Sequence, residues 1–132
     1  MLRILTCSPA MPVGLVLTSL VCSACRSKPW PEGPPSTDVE KQAQHVWDVR
    51  CSTCHGAGGK GDGPLAANLG TKPRDFSDRA WQAEDADSDL AEVITRGGAA
   101  RGHSADMPPS PDLNGKPDVV RALVQKVRGF GR

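Results

Sequence analysis

Apolar side chains recur every three or four residues in three separate segments of this chain. Such spacing places them on one face of a helix. In the first segment they run toward Cys51, and they are Val39, Ala43, Val46 and Trp47. Thr37, with Glu40 three residues later, has the form of a capping box at the start of this helix. The pattern therefore predicts a helix that ends in the segment around Cys51.

The second and third helices are predicted further along the chain. One runs from about Asp87 or Ser88 to Arg96 and stops at a glycine pair, and the other runs from Pro117 to Gly129. Their apolar faces consist of Leu90, Val93 and Ile94, and of Val119, Val120, Leu123, Val124 and Val127. No segment alternates convincingly as a strand would, and the remaining segments are expected to be loops. The sequence predicts an all-α domain.

The first 24 residues differ from the rest of the chain. Arg3 is followed by an apolar stretch over residues 13–21 and by the small residues Ser23 and Ala24, which is the composition of an export signal. The apolar stretch is shorter than the roughly 20 residues of a membrane-spanning helix, so a permanent transmembrane helix is the weaker alternative. We expect residues 1–24 to be a signal peptide.

The residues around Cys25 resemble the end of a bacterial lipoprotein signal, in which a cysteine after a small residue becomes the lipidated first residue. Cys22 stands where that pattern prefers Leu, so cleavage after Ala24 and a soluble periplasmic product is the alternative. Residues 25–36 are rich in proline and are expected to form a tether between Cys25 and a domain at 37–132. We expect a lipid-anchored protein on the periplasmic side of a bacterial membrane.

The balance of basic and acidic residues does not indicate a polyanionic partner. Without Arg3 the chain retains 15 basic and 15 acidic residues. Such a balance indicates neither nucleic acid nor an anionic membrane surface. We find no internal repeat, and we expect a monomer.

The run Cys51-Ser-Thr-Cys54-His55 has the spacing of a site for covalent c-type haem attachment. Two thiols at this spacing add to the two vinyl groups of haem, and the adjoining His55 binds the iron. A thioredoxin-like pair belongs near a βαβ pattern, and a structural zinc site commonly needs a second cysteine pair. Neither feature follows in the sequence. We therefore expect one covalent haem c.

A second iron ligand is expected from a later loop. Met107 is the only methionine after the leader, and the two prolines that follow it keep its segment extended. A His/Met ligand pair raises the reduction potential and leaves no open position on the iron, which suits electron transfer. His103 is the rival ligand, and the remaining alternative for Met107 is to fill a gap in the core.

Residues from about Ser36 to Phe130 resemble a class I cytochrome c domain of the small single-haem type. The resemblance rests on the haem motif, on Met107-Pro-Pro and on weaker segments, which are Trp47, 61–65, 72–76, 94–98 and 123–128. It implies helices at both ends that cross near the haem, with His55 and Met107 on opposite faces of the ring. It also implies that Arg74 and Trp81 contact the haem propionates, with surface or packing roles as the alternative. Lys126 stands where the family often has an aromatic residue, so this crossing is expected to pack less tightly.

The resemblance implies an electron carrier rather than an enzyme. Such a protein would shuttle one electron between respiratory or dehydrogenase complexes and dock with its redox partners only transiently. Two alternatives remain open at this point. One is a haem sensor whose sixth ligand dissociates so that a gas can bind, and the other is a fixed electron-transfer subunit of a larger oxidoreductase.

Overall fold

A computed structural model describes residues 34–132 of the chain. The predicted signal at residues 1–24, the predicted lipidation site Cys25 and most of the predicted tether lie outside the described residues. Within residues 34–132, no helix is both long enough and apolar enough to cross a membrane.

The part of the chain that the structure describes is helical and contains no β-strand, as the sequence predicted. Its α-helices are α1 (Thr37–Val46), α2 (Ser52–His55), α3 (Arg79–Glu84), α4 (Asp87–Arg96) and α5 (Pro117–Gly129). A π-helical turn, Trp47–Cys51, joins α1 to α2, and 3₁₀ turns form at Ala66–Asn68, Gly98–Arg101 and Pro111–Leu113. The three helices predicted from the apolar pattern are confirmed.

The start of α1 lies one residue earlier than the capping box predicted. Ser36 is the N-cap, and its hydroxyl accepts a hydrogen bond from the Val39 backbone N–H at 3.4 Å. Ser36 also has the extended backbone that an N-cap requires, whereas Thr37 is already helical. The prediction of a Thr37 cap is therefore wrong.

Helix α3 lies in a segment that was expected to be loop. Its N-cap, Asp78, accepts hydrogen bonds from the backbone N–H groups of Ala80 and Trp81 at 3.0 and 3.3 Å. Six residues are too few to display a helical period in the sequence, so the pattern could not reveal this helix.

The core forms where α1 and α5 cross. Leu123 and Val124 of α5 are each 1% exposed, and Trp47 at the end of α1 is 3% exposed. The other buried apolar residues are Ala43, Phe76, Leu90, Leu113, Val119, Val120, Ala122 and Val127.

An aromatic ring packs against Trp47 although Lys126 replaces the aromatic residue that the resemblance would place in α5. Phe130, just beyond the end of α5, lies with its ring centroid 5.0 Å from that of Trp47. The Lys126 ammonium lies 5.5 Å from the Trp47 ring centroid, within the range of a cation–π interaction. Phe130 and Lys126 thus both pack against Trp47. These contacts count against the expectation that α1 and α5 pack less tightly where they cross.

Candidate functional site

A large cavity of about 1360 Å³ opens between α2, α4 and the loops that flank α4. Cys51, Cys54, His55 and Met107, the four residues predicted to hold haem, all line it. His103, the rival ligand, lines the same cavity. Apolar side chains supply much of the remaining wall, and they include Leu65, Leu69, Phe76, Trp81, Leu90, Val93 and Ile94. The fold therefore brings together residues that lie up to 56 positions apart in the sequence.

The π-helical turn is the element that leads from the core to this cavity. Trp47 at its start is buried in the core, whereas Cys51 at its end lies on the cavity wall. The Ser52 backbone N–H reaches back to the Trp47 carbonyl, which closes the wide turn. Such turns interrupt α-helices frequently at functional sites. Helix α2 then carries Cys54 and His55 along the same wall.

Cys51 does not have the environment of a reactive thiol. Burial raises the pKa of the Cys51 thiol to about 11, although Arg50 beside it opposes the shift. Redox-active cysteines have lowered pKa values, because the thiolate is the reactive form. In residues 34–132, no group of three or more His, Cys, Asp or Glu side chains is placed to hold a metal ion. These observations disfavour the thioredoxin-like and zinc alternatives.

His55 is buried, and one of its ring nitrogens faces a backbone carbonyl. Its Nδ1 lies 3.2 Å from the carbonyl oxygen of Arg74, and a proton on Nδ1 would complete that hydrogen bond. Burial lowers the pKa of His55, with the hydrogen bond to Arg74 acting in the opposite direction. The ring also stacks on Phe76, with 4.4 Å between centroids. A neutral ring whose Nδ1–H is bound to a carbonyl keeps the Nε2 lone pair for a metal.

Met107 lies in a loop that is attached to the C-terminal end of α4. The Gly98 backbone N–H donates to the Met107 carbonyl at 3.0 Å, and the Ser110 N–H donates to the Thr95 carbonyl at 2.9 Å. Gly97, which ends α4, has φ +81° and ψ 166°. This is a backbone region that essentially only glycine adopts. The position of Met107 therefore depends on Gly97.

Gly97→Ala should displace the Met107 loop. A Cβ at position 97 would lie 2.9 Å from both the Met107 carbonyl oxygen and the Pro109 nitrogen, and backbone atoms cannot yield as a side chain can. The disfavoured backbone alone should lower the free energy of unfolding by about 1–3 kcal/mol. Chemical denaturation of the purified protein measures this loss. Gly102→Ala is the matched control, since Gly102 also has a positive φ but, apart from its own chain neighbours, no described atom lies within 4 Å of the added Cβ. Equal losses in the two variants would show that contact with the Met107 loop is not what constrains Gly97.

A hydrogen-bonded contact joins the two long loops beside the cavity. The Asp106 carboxylate accepts from the Thr71 backbone N–H at 3.3 Å and from the Ser104 hydroxyl at 3.0 Å. Thr71, Ser104 and Asp106 all line the cavity. Sequence analysis missed this contact, because Thr71 and Asp106 lie in loops without a periodic pattern. It also gave Phe76 no role, although one of only two Phe residues in the chain was a signal worth following.

Two other residues singled out from the sequence, Arg74 and Trp81, lie beside each other at the cavity. Arg74 and Trp81 both line the cavity, and the Arg74 guanidinium lies 5.5 Å from the Trp81 ring centroid. Their contact with haem propionates stays a prediction. Arg50, which precedes the motif, forms a two-point ion pair with Asp112 at 2.7 and 3.0 Å. The Arg50 guanidinium lowers the pKa of the Asp112 carboxyl, chiefly through this hydrogen bonding.

The size and chemistry of the cavity fit a haem. Cavities for drug-sized ligands measure roughly 300–1,000 Å³, and this one is larger, at about 1360 Å³. Its wall combines apolar side chains with two thiols, an imidazole and a thioether, which are the attachment and ligand groups of a c-type haem.

The helical fold and this set of side chains define a c-type cytochrome. A family model described as cytochrome c oxidase, cbb3-type, subunit III matches residues 38–125. The chain belongs to this family, and it carries covalently bound haem c. A search of curated proteins gave no significant match.

Proposed function

We propose that this cytochrome is a single-electron carrier in which Cys51 and Cys54 hold the haem and His55 and Met107 are the axial ligands of its iron. The observation that carries the proposal is that one cavity is lined by all four side chains. Family membership supports haem-based electron transfer as the general function.

When bound, the haem supplies an iron that accepts and releases one electron. Each proposed residue has a separate task. The Arg74 carbonyl orients the His55 ring so that Nε2 can bind the iron. The neutral thioether of Met107 favours ferrous iron and so raises the reduction potential. If His55 and Met107 both bind the iron, no ligand position would be left for a gas, which would favour electron transfer over gas binding.

Partner docking would use the rim of the cavity. Leu65 lies on the cavity wall and is nevertheless 49% exposed. Val49, in the turn that leads to Cys51, is 52% exposed. Small, partly apolar contact surfaces suit the weak and transient complexes of electron-transfer proteins. We propose redox proteins as partners and a monomeric carrier that transforms no substrate itself.

Met107→Ala should abolish the methionine-to-iron bond and leave the haem attached. The test is to express the full chain in a host that matures c-type haem and to record oxidised and reduced absorption spectra. A weak far-red band of the ferric protein reports the bond between methionine sulfur and iron. We expect this band in the unsubstituted protein and its complete loss in Met107→Ala, because no other methionine lies in residues 34–132.

His103→Ala is the matched control, since His103 lines the same cavity. The far-red band should survive this change. A band that persists in Met107→Ala would refute the His55/Met107 pair. Loss of low-spin character in His103→Ala would make His103 the ligand instead. Rapid binding of carbon monoxide to the ferrous, unsubstituted protein would support the sensor alternative.

A second candidate role is that of a fixed electron-transfer subunit. It is favoured by the description of the matched family, which refers to a subunit of an oxidase. Such a role would use the same haem site but a permanent interface in place of transient docking. Co-purification with a stable partner after gentle solubilisation would distinguish the fixed subunit from the free carrier.

We also propose that the protein acts on the periplasmic side of a bacterial membrane. The support is the composition of residues 1–24, which has the form of an export signal, and the position of Cys25 after two small residues. Lipid on Cys25 would anchor the protein, and the proline-rich tether at 25–36 would hold the haem domain away from the bilayer.

A further inference from the structure

Helix α3 contributes to the haem cavity although it is only six residues long. It spans Arg79–Glu84, and none of its residues is buried. Helices this short are unstable by themselves, because few backbone hydrogen bonds offset the cost of nucleation. Even so, α3 carries Trp81, which lines the cavity. Contacts from outside the helix must therefore fix its position.

Arg128, in the last turn of α5, supplies such contacts. Its Nη1 donates to the Gln82 carbonyl at 2.7 Å and to the Gln82 side-chain oxygen at 2.9 Å. Its Nη2 donates to the Asp85 carbonyl, and its Nε donates to the Asp87 carboxylate at 2.8 Å. The carbonyls at the end of a helix lack partners within the helix. The guanidinium thus caps the end of α3 and links it to the start of α4.

The side chain of Gln82 extends the network toward the cavity. Its amide nitrogen donates to the Phe76 carbonyl at 2.8 Å and to the Val127 carbonyl at 2.9 Å. Gln82 therefore connects α5 with the loop that precedes α3. The groups to which Arg128 donates lie 41 to 46 residues before it in the sequence. The side chain of Arg128 is only 20% exposed.

Phe76 and Trp81 are the two aromatic rings that this network reaches. Phe76 stacks on the ring of His55, with 4.4 Å between centroids, and Trp81 lies 5.4 Å from Phe76. A continuous series of contacts thus leads from Arg128 through Gln82 to the wall of the cavity on which His55 lies.

We propose that Arg128 is a positioning residue that fixes α3 and thereby holds Phe76 and Trp81 against the His55 side of the haem cavity. The effect on the haem rests on the proposed function. A planar guanidinium can donate to several carbonyls at fixed angles, which an ammonium cannot do. The shape of Arg128, and not its charge alone, is therefore required.

The test compares Arg128→Met and Arg128→Lys in the haem-loaded full chain. Arg96→Met is the matched control, because among residues 34–132 the Arg96 side chain pairs only with Glu92 of its own helix, and it is 67% exposed. Amide hydrogen exchange reports the opening of α3, and redox titration reports the environment of the iron. Hydrogen bonds to charged donors are strong enough that their loss should speed exchange in α3 about tenfold or more in Arg128→Met.

The reduction potential of Arg128→Met should fall as well, because water that enters beside His55 stabilises the more highly charged ferric iron. Arg128→Lys should resemble Arg128→Met in both measurements, whereas Arg96→Met should resemble the unsubstituted protein. If Arg128→Met does not accumulate, Arg128→Lys provides the same two measurements.

Three results would overturn the proposal. Unchanged exchange in α3 would mean that Arg128 does not hold this helix. Faster exchange with an unchanged potential would mean that α3 does not shape the iron site. If the reduction potential of Arg128→Lys equals that of the unsubstituted protein while amide exchange in α3 stays fast, Arg128 acts through its charge. Failure of the proposed function would appear differently, as a spectrum of the unsubstituted protein without His/Met ligation, and amide exchange would still test the attachment of α3.

Discussion

Replacing both Cys51 and Cys54 with Ser should leave a polypeptide from which denaturation removes all haem. The two thiols line the cavity, and thioethers at these positions are the proposed covalent links. Haem staining after denaturing electrophoresis measures the attachment directly. Each single substitution should retain haem through the remaining thioether, so the signal should disappear completely only in the double variant.

Ser52→Ala is the control within the same motif. The Ser52 hydroxyl donates only to the Asp48 carbonyl at the helix surface, so its removal should leave haem attachment intact. Haem that stays on the double variant through denaturation would contradict the assignment of the cysteines. A wild-type chain without covalent haem would contradict the whole account of the site.

Loss of haem should also destabilise the fold. The cavity measures about 1360 Å³, and empty apolar cavities lower stability because the atoms around them lose contacts. The domain contains few aromatic residues that could fill the space. We expect the double variant to show less helical circular dichroism than the haem-loaded protein.

Trp47→Ala should lower the free energy of unfolding by about 3–5 kcal/mol, the usual cost of truncating a large buried aromatic side chain. Trp47 is 3% exposed and contacts three residues from two distant parts of the chain. Its ring lies 6.2 Å from Phe76 and 5.0 Å from Phe130, and the Lys126 ammonium lies 5.5 Å away. Its loss would open a cavity between the π-helical turn and α5.

Urea unfolding of the haem-loaded protein, followed by circular dichroism, measures the effect without relying on the fluorescence of the tryptophan that is removed. Val49→Ala is the control in the same turn, because Val49 is 52% exposed and surface substitutions usually change stability by less than about 0.5 kcal/mol. Equal unfolding midpoints for Trp47→Ala and Val49→Ala would show that Trp47 does not hold the helix crossing.

The Trp47→Ala substitution should disturb the haem site as well as the core. Trp47 begins the π-helical turn that ends at Cys51, and Phe76 contacts both Trp47 and His55. The core and the cavity therefore share one aromatic cluster. Its members connect the stability of the helix crossing to the orientation of His55.

Much of the fold followed from local pattern. Helices α1, α4 and α5 have enough residues for their apolar faces to repeat, and Gly97 and Pro117 mark an end and a beginning with residues that suit those positions. The haem motif could also be recognised from the sequence, because its thiols and imidazole must stand at a fixed spacing to reach one ring. Family membership and covalent haem c agree with that interpretation.

The tertiary structure decided which distant residues complete the site. Helix α3 is too short to show a period, and the bonds from Arg128 to Gln82 and Asp85 span more than 40 residues. The packing of Phe130, beyond the end of α5, against Trp47 likewise appears only when the chain is folded. The periodicity of apolar residues shows which side chains of a segment are buried, but not which other segment packs against them. Contacts between distant segments therefore had to come from the fold.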